Sequence, residues 1–283
     1  MKNTKLICAG ILLMASAVAQ AAGIAFVTNV KGDAKADSSK LVLMAELNRG
    51  QKIGCAAECT IGVMFLQSGK EFVVKGPGEY LVGDNEITTK IGVPPAVRDT
   101  QWRVSSQTLV QVAQTSSASV RMRSLSSASA QAGPKPAPER TFYPVQTMVS
   151  SLQPTFGWAT DNVRGPYDFE LTGADGGKPL FKGRALFSTF KLPAHVKLQP
   201  ETAYQWNVSA GGKEIGAGSF TTLSSASLEL AQKRKPDNSA SFSDWLLYGL
   251  LLQELGATHD AHEIWSRLSK DRPDLPELGA LAK

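Results

Sequence analysis

The chain has 283 residues, with 30 Lys and Arg against 25 Asp and Glu, three His and three Cys, for a formal net charge of +5. So mild a balance does not argue for a nucleic-acid partner, and His195, His259 and His262 lie too far from the cysteines in sequence to complete a four-ligand zinc set. The length allows two or three small domains.

The first residues, "MKNTK", precede an apolar run from Leu6 to Met14 and the small residues of "ASAVAQAAG". A basic start, a short apolar stretch and an Ala-x-Ala at Ala19 and Ala21 describe a secretory signal peptide over residues 1–22, with cleavage expected after Ala21 or Ala22. Cys8 would leave with it, as would Lys2 and Lys5, so 28 basic residues would face 25 acidic ones, a net charge of +3. No later segment approaches the roughly 18 apolar residues of a membrane span. The expected mature protein is periplasmic, with no transmembrane segment.

Residues 23–123 alternate short apolar runs with glycine, as in "GIAFVTNVKGDA", "LVLMAELNRGQKI" and "CTIGVMFLQSGKEFVVKGPGEYLVGDNEI". Strand signals at this spacing predict an all-β unit. "LQSGKEF" predicts a tight hairpin in which Gly69 supplies a positive φ, and "KGPGEY" a second turn around Pro77. Cys55 and Cys59 stand four apart before a predicted strand, so in an oxidising compartment they read as a disulfide pinching a strand-to-strand turn. The order of "AFVTNVKGDA", "LNRGQKI", "LQSGKEFVVKGPGEYLV" and "SASVRMRS" resembles the periplasmic FecR-like domain. In the regulators that gave the family its name, a cytoplasmic anti-sigma segment and a transmembrane helix come first. A cleavable signal stands there in this sequence, so an anti-sigma role is not implied.

Residues 124–140, "SLSSASAQAGPKPAPER", have the composition of a linker that cannot bury enough surface to offset chain entropy. Between Ala96 and Arg140 the cations Arg98, Arg103, Arg121, Arg123, Lys135 and Arg140 outnumber Asp99 and Glu139. This reads as a solvated basic stretch, with an anionic surface as the alternative partner.

A second strand series follows over residues 141–222. In "LQPETAYQWNVSA", Tyr204, Trp206 and Val208 share one strand face while Gln205, Asn207 and Ser209 share the other, the mark of a half-buried strand. The pattern resembles the corner of a fibronectin type III or related immunoglobulin-like sandwich, in which a Tyr bonds back to the chain. That resemblance implies a β-sandwich with Trp158 as a core aromatic, and it is silent on function.

Residues 223–283 switch to helical periodicity. Trp245, Tyr248, Gly249, Leu252, Ala261, Trp265, Leu268 and Pro273 fall in a register that resembles a tetratricopeptide repeat, although Leu268 stands where that family prefers a small residue. Gly256 is expected to end the first helix, and Thr258 and Asp260 to cap and charge the second. Such arrays need about three repeats to be stable, so these helices are expected to pack on the sandwich or on a partner. Trp245, Tyr248 and Trp265 read as core residues at helical spacing; the alternative is an exposed aromatic patch that binds a peptide or sugar.

Catalytic patterns are sparse. "STFK", Ser188 to Lys191, matches a Ser-x-x-Lys acylation motif, but "LFSTFKLP" alternates like a strand, separating Ser188 from Lys191, and no Ser-Asp-Asn or Lys-Thr-Gly partner occurs. His259 and His262 could share one side of a helix start with Asp260 or Glu263, yet the spacing is not that of a metalloprotease helix. The fold class expected is multidomain and mainly β, two β domains followed by a small helical segment. The function expected is that of a non-enzymatic exported scaffold or sensor-accessory protein with an envelope protein as partner, without cofactor or metal. The alternative is a cell-wall protein that binds peptidoglycan or another glycan.

Overall fold

The computed structural model describes residues 23–100, 102, 105, 107–109, 111–114, 142–160 and 163–282. The expected signal at 1–22, the "SASVRMRS" stretch and the expected linker at 124–140 lie outside the described residues, as do Arg103, Arg121, Arg123, Lys135 and Arg140 of the basic stretch.

The first unit consists of β1 (Ala25–Lys31), β2 (Ala34–Ala36), β3 (Ser39–Lys40), β4 (Glu46–Leu47), β5 (Lys52–Cys55), β6 (Thr60–Phe65), β7 (Lys70–Lys75), β8 (Gly78–Val82), β9 (Ile87–Ile91) and β10 (Ala96–Asp99). They form two five-stranded antiparallel sheets, ordered β10-β7-β6-β1-β4 and β3-β2-β5-β8-β9. Alternate residues Val27, Ile61, Val63 and Phe65 of the first sheet meet Ile53, Tyr80 and Val82 of the second in one core. The opposite face of β1 and β6 carries Phe26 and Met64, each fully buried, and these belong to a different core. A strand buried on both faces reads as a continuous apolar run rather than an alternation, which explains "AFV" and "VMF". Gly69 takes φ +68° in the β6–β7 turn, as its place in "LQSGKEF" predicted. The Cys55 and Cys59 sulfurs are bonded, tying the end of β5 to the residue before β6.

The second unit contains β11 (Thr147–Val149), β12 (Thr155–Gly157), β13 (Tyr167–Gly173), β14 (Phe181–Ala185), β15 (Thr189–Lys191), β16 (Ala203–Ala210) and β17 (Lys213–Thr222). One sheet is ordered β11-β17-β16-β13-β14, antiparallel except for the parallel β11–β17 pair, and β12 pairs with β15 in a second, two-stranded sheet. Phe156, Trp158, Phe169, Trp206 and Phe220 fill the space between. Tyr204, Trp206 and Val208 of β16 are all buried, as the period-2 pattern requires. The Tyr204 hydroxyl accepts from the Gln199 amide at 2.7 Å, and the Trp206 indole donates to the Pro144 carbonyl at 2.8 Å.

Among the described residues, four helices follow the second unit: α1 (Ser225–Arg234), α2 (Phe242–Glu254), α3 (Thr258–Asp271) and α4 (Pro276–Leu281). α2 opens with a capping box, Ser241 and Asp244 each bonding the other's backbone amide. Every residue from Trp245 to Leu252 of α2 is buried. A helix apolar all round must be enclosed, and α2 is enclosed by β1 on one side and α3 on the other. The molecule is thus mainly β, antiparallel sheets forming β domains followed by C-terminal helices.

Candidate functional site

The three aromatics of the helical segment go inward. Trp245 is 6% exposed, Tyr248 5% and Trp265 2%. Trp265 packs against Gly249, where a Cβ would stand 2.5 Å from the ring. They fill the joint between α2, α3 and the first β unit rather than forming an exposed aromatic patch, because the apolar outer face of β1 and β6 needs a cover.

That cover is also held by buried charge. Glu71 on β7, 2% exposed, accepts from the Thr28 hydroxyl at 2.5 Å and from Arg98 Nε at 2.9 Å. The other side of the Arg98 guanidinium donates to both carboxylate oxygens of Asp244, at 2.8 and 2.7 Å. One cation therefore joins the edge strand β10 to the first turn of α2. Burial works to raise the Asp244 pKa, but hydrogen bonds from Arg98 and Ser241 and the Arg98 charge outweigh it, and the carboxyl is held below its usual range. At the far end of the hairpin, Arg272 donates to the Asn29 side chain at 2.8 Å and to the Val30 carbonyl at 2.5 Å.

The other side of the hairpin meets the sandwich at the turn "LGATHD". Gly256 ends α2 with φ +78°, as expected, but Thr258 and Asp260 do not cap α3, which has no side-chain cap. They are turned outward to β11. The Asp260 carboxylate accepts from the Ser150 amide at 2.7 Å and its hydroxyl at 2.5 Å. The Thr258 and Thr147 hydroxyls stand 2.9 Å apart, and the Met148 amide donates to the Gly256 carbonyl at 3.1 Å. Tyr143 stacks on His259 with centroids 4.3 Å apart and planes 15° from parallel.

Beside this joint opens a cleft of about 280 Å³, lined by Lys191 and Thr155 from the sandwich and by Lys235, Tyr248, His259, Asp260 and Glu263 from the helices. Burial pushes the Tyr248 hydroxyl up to about 12, with help from the Asp260 charge. Burial raises Glu263, with the Asp260 charge adding and Lys235 opposing. It lowers His259, against the pull of Asp260 and with the help of His262. The cleft thus offers a neutral imidazole, a phenol and two ammonium groups around carboxylates, suited to hydrogen-bonding a polar chain segment.

The cleft joins Tyr248, Lys191, His259, Asp260 and Glu263, residues the sequence offered under three separate headings. It separates others. Ser188 precedes β15 while Lys191 ends it, so the extended backbone carries them apart as the alternation of "LFSTFKLP" predicted. His262 lines a different cavity, of about 220 Å³, with Trp265 and Leu281. Among the described residues no group of three or more His, Cys, Asp or Glu is placed to hold a metal ion. Nor is any helix among them long and apolar enough to cross a membrane. Glu71, Arg272, Tyr143 and Lys235 were not singled out by sequence pattern, and Arg98 only as part of a solvated basic stretch, because their partners stand up to 243 positions away.

No family model matches the chain. No curated protein matches it either. Among solved structures, a two-domain fibronectin type III segment of chicken tenascin is similar at 14% identity, over 71% of this chain and 84% of that one, with a TM-score of 0.21.

Proposed function

We propose that this protein is a non-catalytic scaffold or sensor-accessory protein of the bacterial envelope, exported by its leader and acting through protein–protein contact. The observation that carries the reading is the position of the helical hairpin. It is built into the body of the molecule, covering one β unit and bonding the other, so it connects the two β modules and leaves the junction cleft as the place where a partner segment can lie. Among the described lining residues no serine hydroxyl is hydrogen-bonded to the His259 ring: Ser150 donates its hydroxyl to Asp260 instead, and His259 stacks on Tyr143. The FecR-like and tetratricopeptide-like patterns in the sequence belong to interaction modules and support the same reading. Its lining favours an extended polar peptide, with Lys191 and Lys235 toward carboxylates and Glu263 toward a cation.

The test is photocrosslinking in living cells from an unnatural residue at Thr155, which is exposed at the cleft, with Lys90 on β9 as the control position. One envelope protein recovered from Thr155 and absent from Lys90 supports the scaffold. Recovery of no specific protein, with the purified protein pelleting on peptidoglycan at low salt, would replace it by the glycan-binding alternative.

A further inference from the structure

Tyr248 carries a hydroxyl that the fold does not use. The residue is 5% exposed and lines the cleft between the sandwich and the helices, and its hydroxyl has no hydrogen-bond partner among the described residues. A polar group drawn out of water without a partner costs free energy, and folded proteins keep few of them. Nor is this one sealed in. The enclosed side-chain atoms without a partner among the described residues are the Trp158 and Trp245 indole nitrogens and one Glu277 oxygen, so the Tyr248 hydroxyl opens to the cleft. Burial, with the Asp260 charge nearby, makes it hold its proton and act as a donor.

Three more donors line the same space unused. The His259 ring makes no hydrogen bond among the described residues; it stacks on Tyr143, and its Nε2 stands 3.8 Å from Glu263. Lys191 on the sandwich wall and Lys235 on the helical wall are both exposed, and neither forms an ion pair among the described residues. Two carboxylates stand against these. One oxygen of Asp260 already accepts from the Ser150 amide and hydroxyl, which commits that group to the joint. Glu263 accepts no hydrogen bond among the described residues.

Donors therefore exceed acceptors among the open groups, and an occupant that satisfies them has to bring carbonyl and carboxylate oxygens. A neutral sugar matches poorly. Its hydroxyls bring donors as well as acceptors, the Tyr248 ring is buried, and Tyr143 covers a face of His259, so little aromatic surface remains to lie on. The cleft holds about 280 Å³, just under the roughly 300 Å³ at which small-molecule sites begin, which suits a short stretch of chain. On the reading that the cleft seats the partner, we propose that the bound segment is an acidic peptide: its backbone carbonyls accept from Tyr248 and His259, and its carboxylates meet Lys191 and Lys235.

The test is fluorescence anisotropy of the purified protein with a labelled heptapeptide alternating Glu and Ser, beside peptides in which Lys or Gln replaces Glu. The Glu peptide is expected to bind more tightly than both others and to weaken with salt. Tyr248→Phe should lower its affinity about tenfold, the ordinary worth of one hydrogen bond. Urea melts of that variant should stay unchanged or rise, because the hydroxyl has no partner to lose in the free protein. Lys191→Gln with Lys235→Gln should remove most of the salt dependence, and Lys90→Gln on β9 should change nothing. Equal binding of the Glu and Lys peptides overturns the proposal, as does a Glu peptide that Tyr248→Phe binds as well as the parent does. Loss of affinity accompanied by a fall in stability overturns the role given to Tyr248. If Thr155 crosslinks an envelope protein while the Glu peptide does not bind, the seat stands and the acidic occupant is wrong; if neither occurs, both fall.

Discussion

The helical hairpin meets its two neighbours by different physics. Toward the first β unit, Phe26, Leu43, Met44 and Met64 belong to the same hydrophobic core as α2 and α3. Toward the sandwich, whose own core is separate, the contact consists of hydroxyls, backbone groups, one carboxylate and one stacked pair of rings. The first joint is the interior of a domain cut by no boundary. The second resembles an interface between domains, where relative motion is the default. The hairpin and the first β unit are therefore one folding unit, although the whole sandwich lies between them in the chain.

The sharpest way to break this comparison is Trp265→Ala. Emptying a fully buried indole costs roughly 3 to 5 kcal/mol, and the loss should appear in urea melts of both the helices and the first β unit while the sandwich keeps its own transition. Separate transitions for the helices and the first β unit in the parent protein would sink the idea of a shared core.

Next in size is Arg98→Met, which strands the Glu71 carboxylate in an apolar setting and leaves Asp244 without its cation. Breaking a buried pair on one side costs roughly 3 kcal/mol or more, discounted here because Arg98 is 39% exposed. Adding Glu71→Gln should restore part of the loss, and a denaturation cycle measures the coupling.

Asp260→Ala should act on the second joint alone. It removes the acceptor of two Ser150 donors, a loss of about 2 kcal/mol. The expected outcome is faster proteolysis between sandwich and helices with unchanged melting of the first β unit. A uniform fall in stability would mean that the two joints are coupled.

The smallest effect is on pH. Burial holds the His259 pKa below its ordinary 6.5, so its contribution is present above that value and is lost as pH falls through the folded pKa. Glu263, pushed above 4.5 by burial, has the opposite sign: its contribution is present below 4.5 and lost as pH rises through its raised pKa. Tyr143, Asp260 and His262 also face this point. The second joint should therefore loosen as pH drops below about 6.5, and His259→Phe, which keeps the stack on Tyr143, should flatten that response in proteolysis rates.

Much of this architecture was legible from local pattern. Alternation in "AYQWNVSA" gave β16 its buried face, Gly69 and Gly256 marked their turns, and the spacing of Cys55 and Cys59 matched a pinched turn, because each depends on a few adjacent residues. The two joints were not legible. A Glu in "KEFVVK" looks like a solvated strand residue until Arg98 and Thr28 are brought to it, and Asp260 looks like a helix-start acid until β11 arrives to claim it. "WLLYGLLL" did hold a clue, since a helix with no polar face has to be enclosed on every side. What the pattern could not supply was the identity of the enclosing surface.

The Arg272 contact to Val30 spans 242 positions. A ribosome making this chain releases β1 long before the residues that cover it exist, so Phe26 and Met64 remain bare through nearly all of synthesis. Closing that gap is a late and non-local event. The first domain to emerge is thus the last to be finished, and any stall before about residue 250 leaves an open apolar sheet face waiting for its lid.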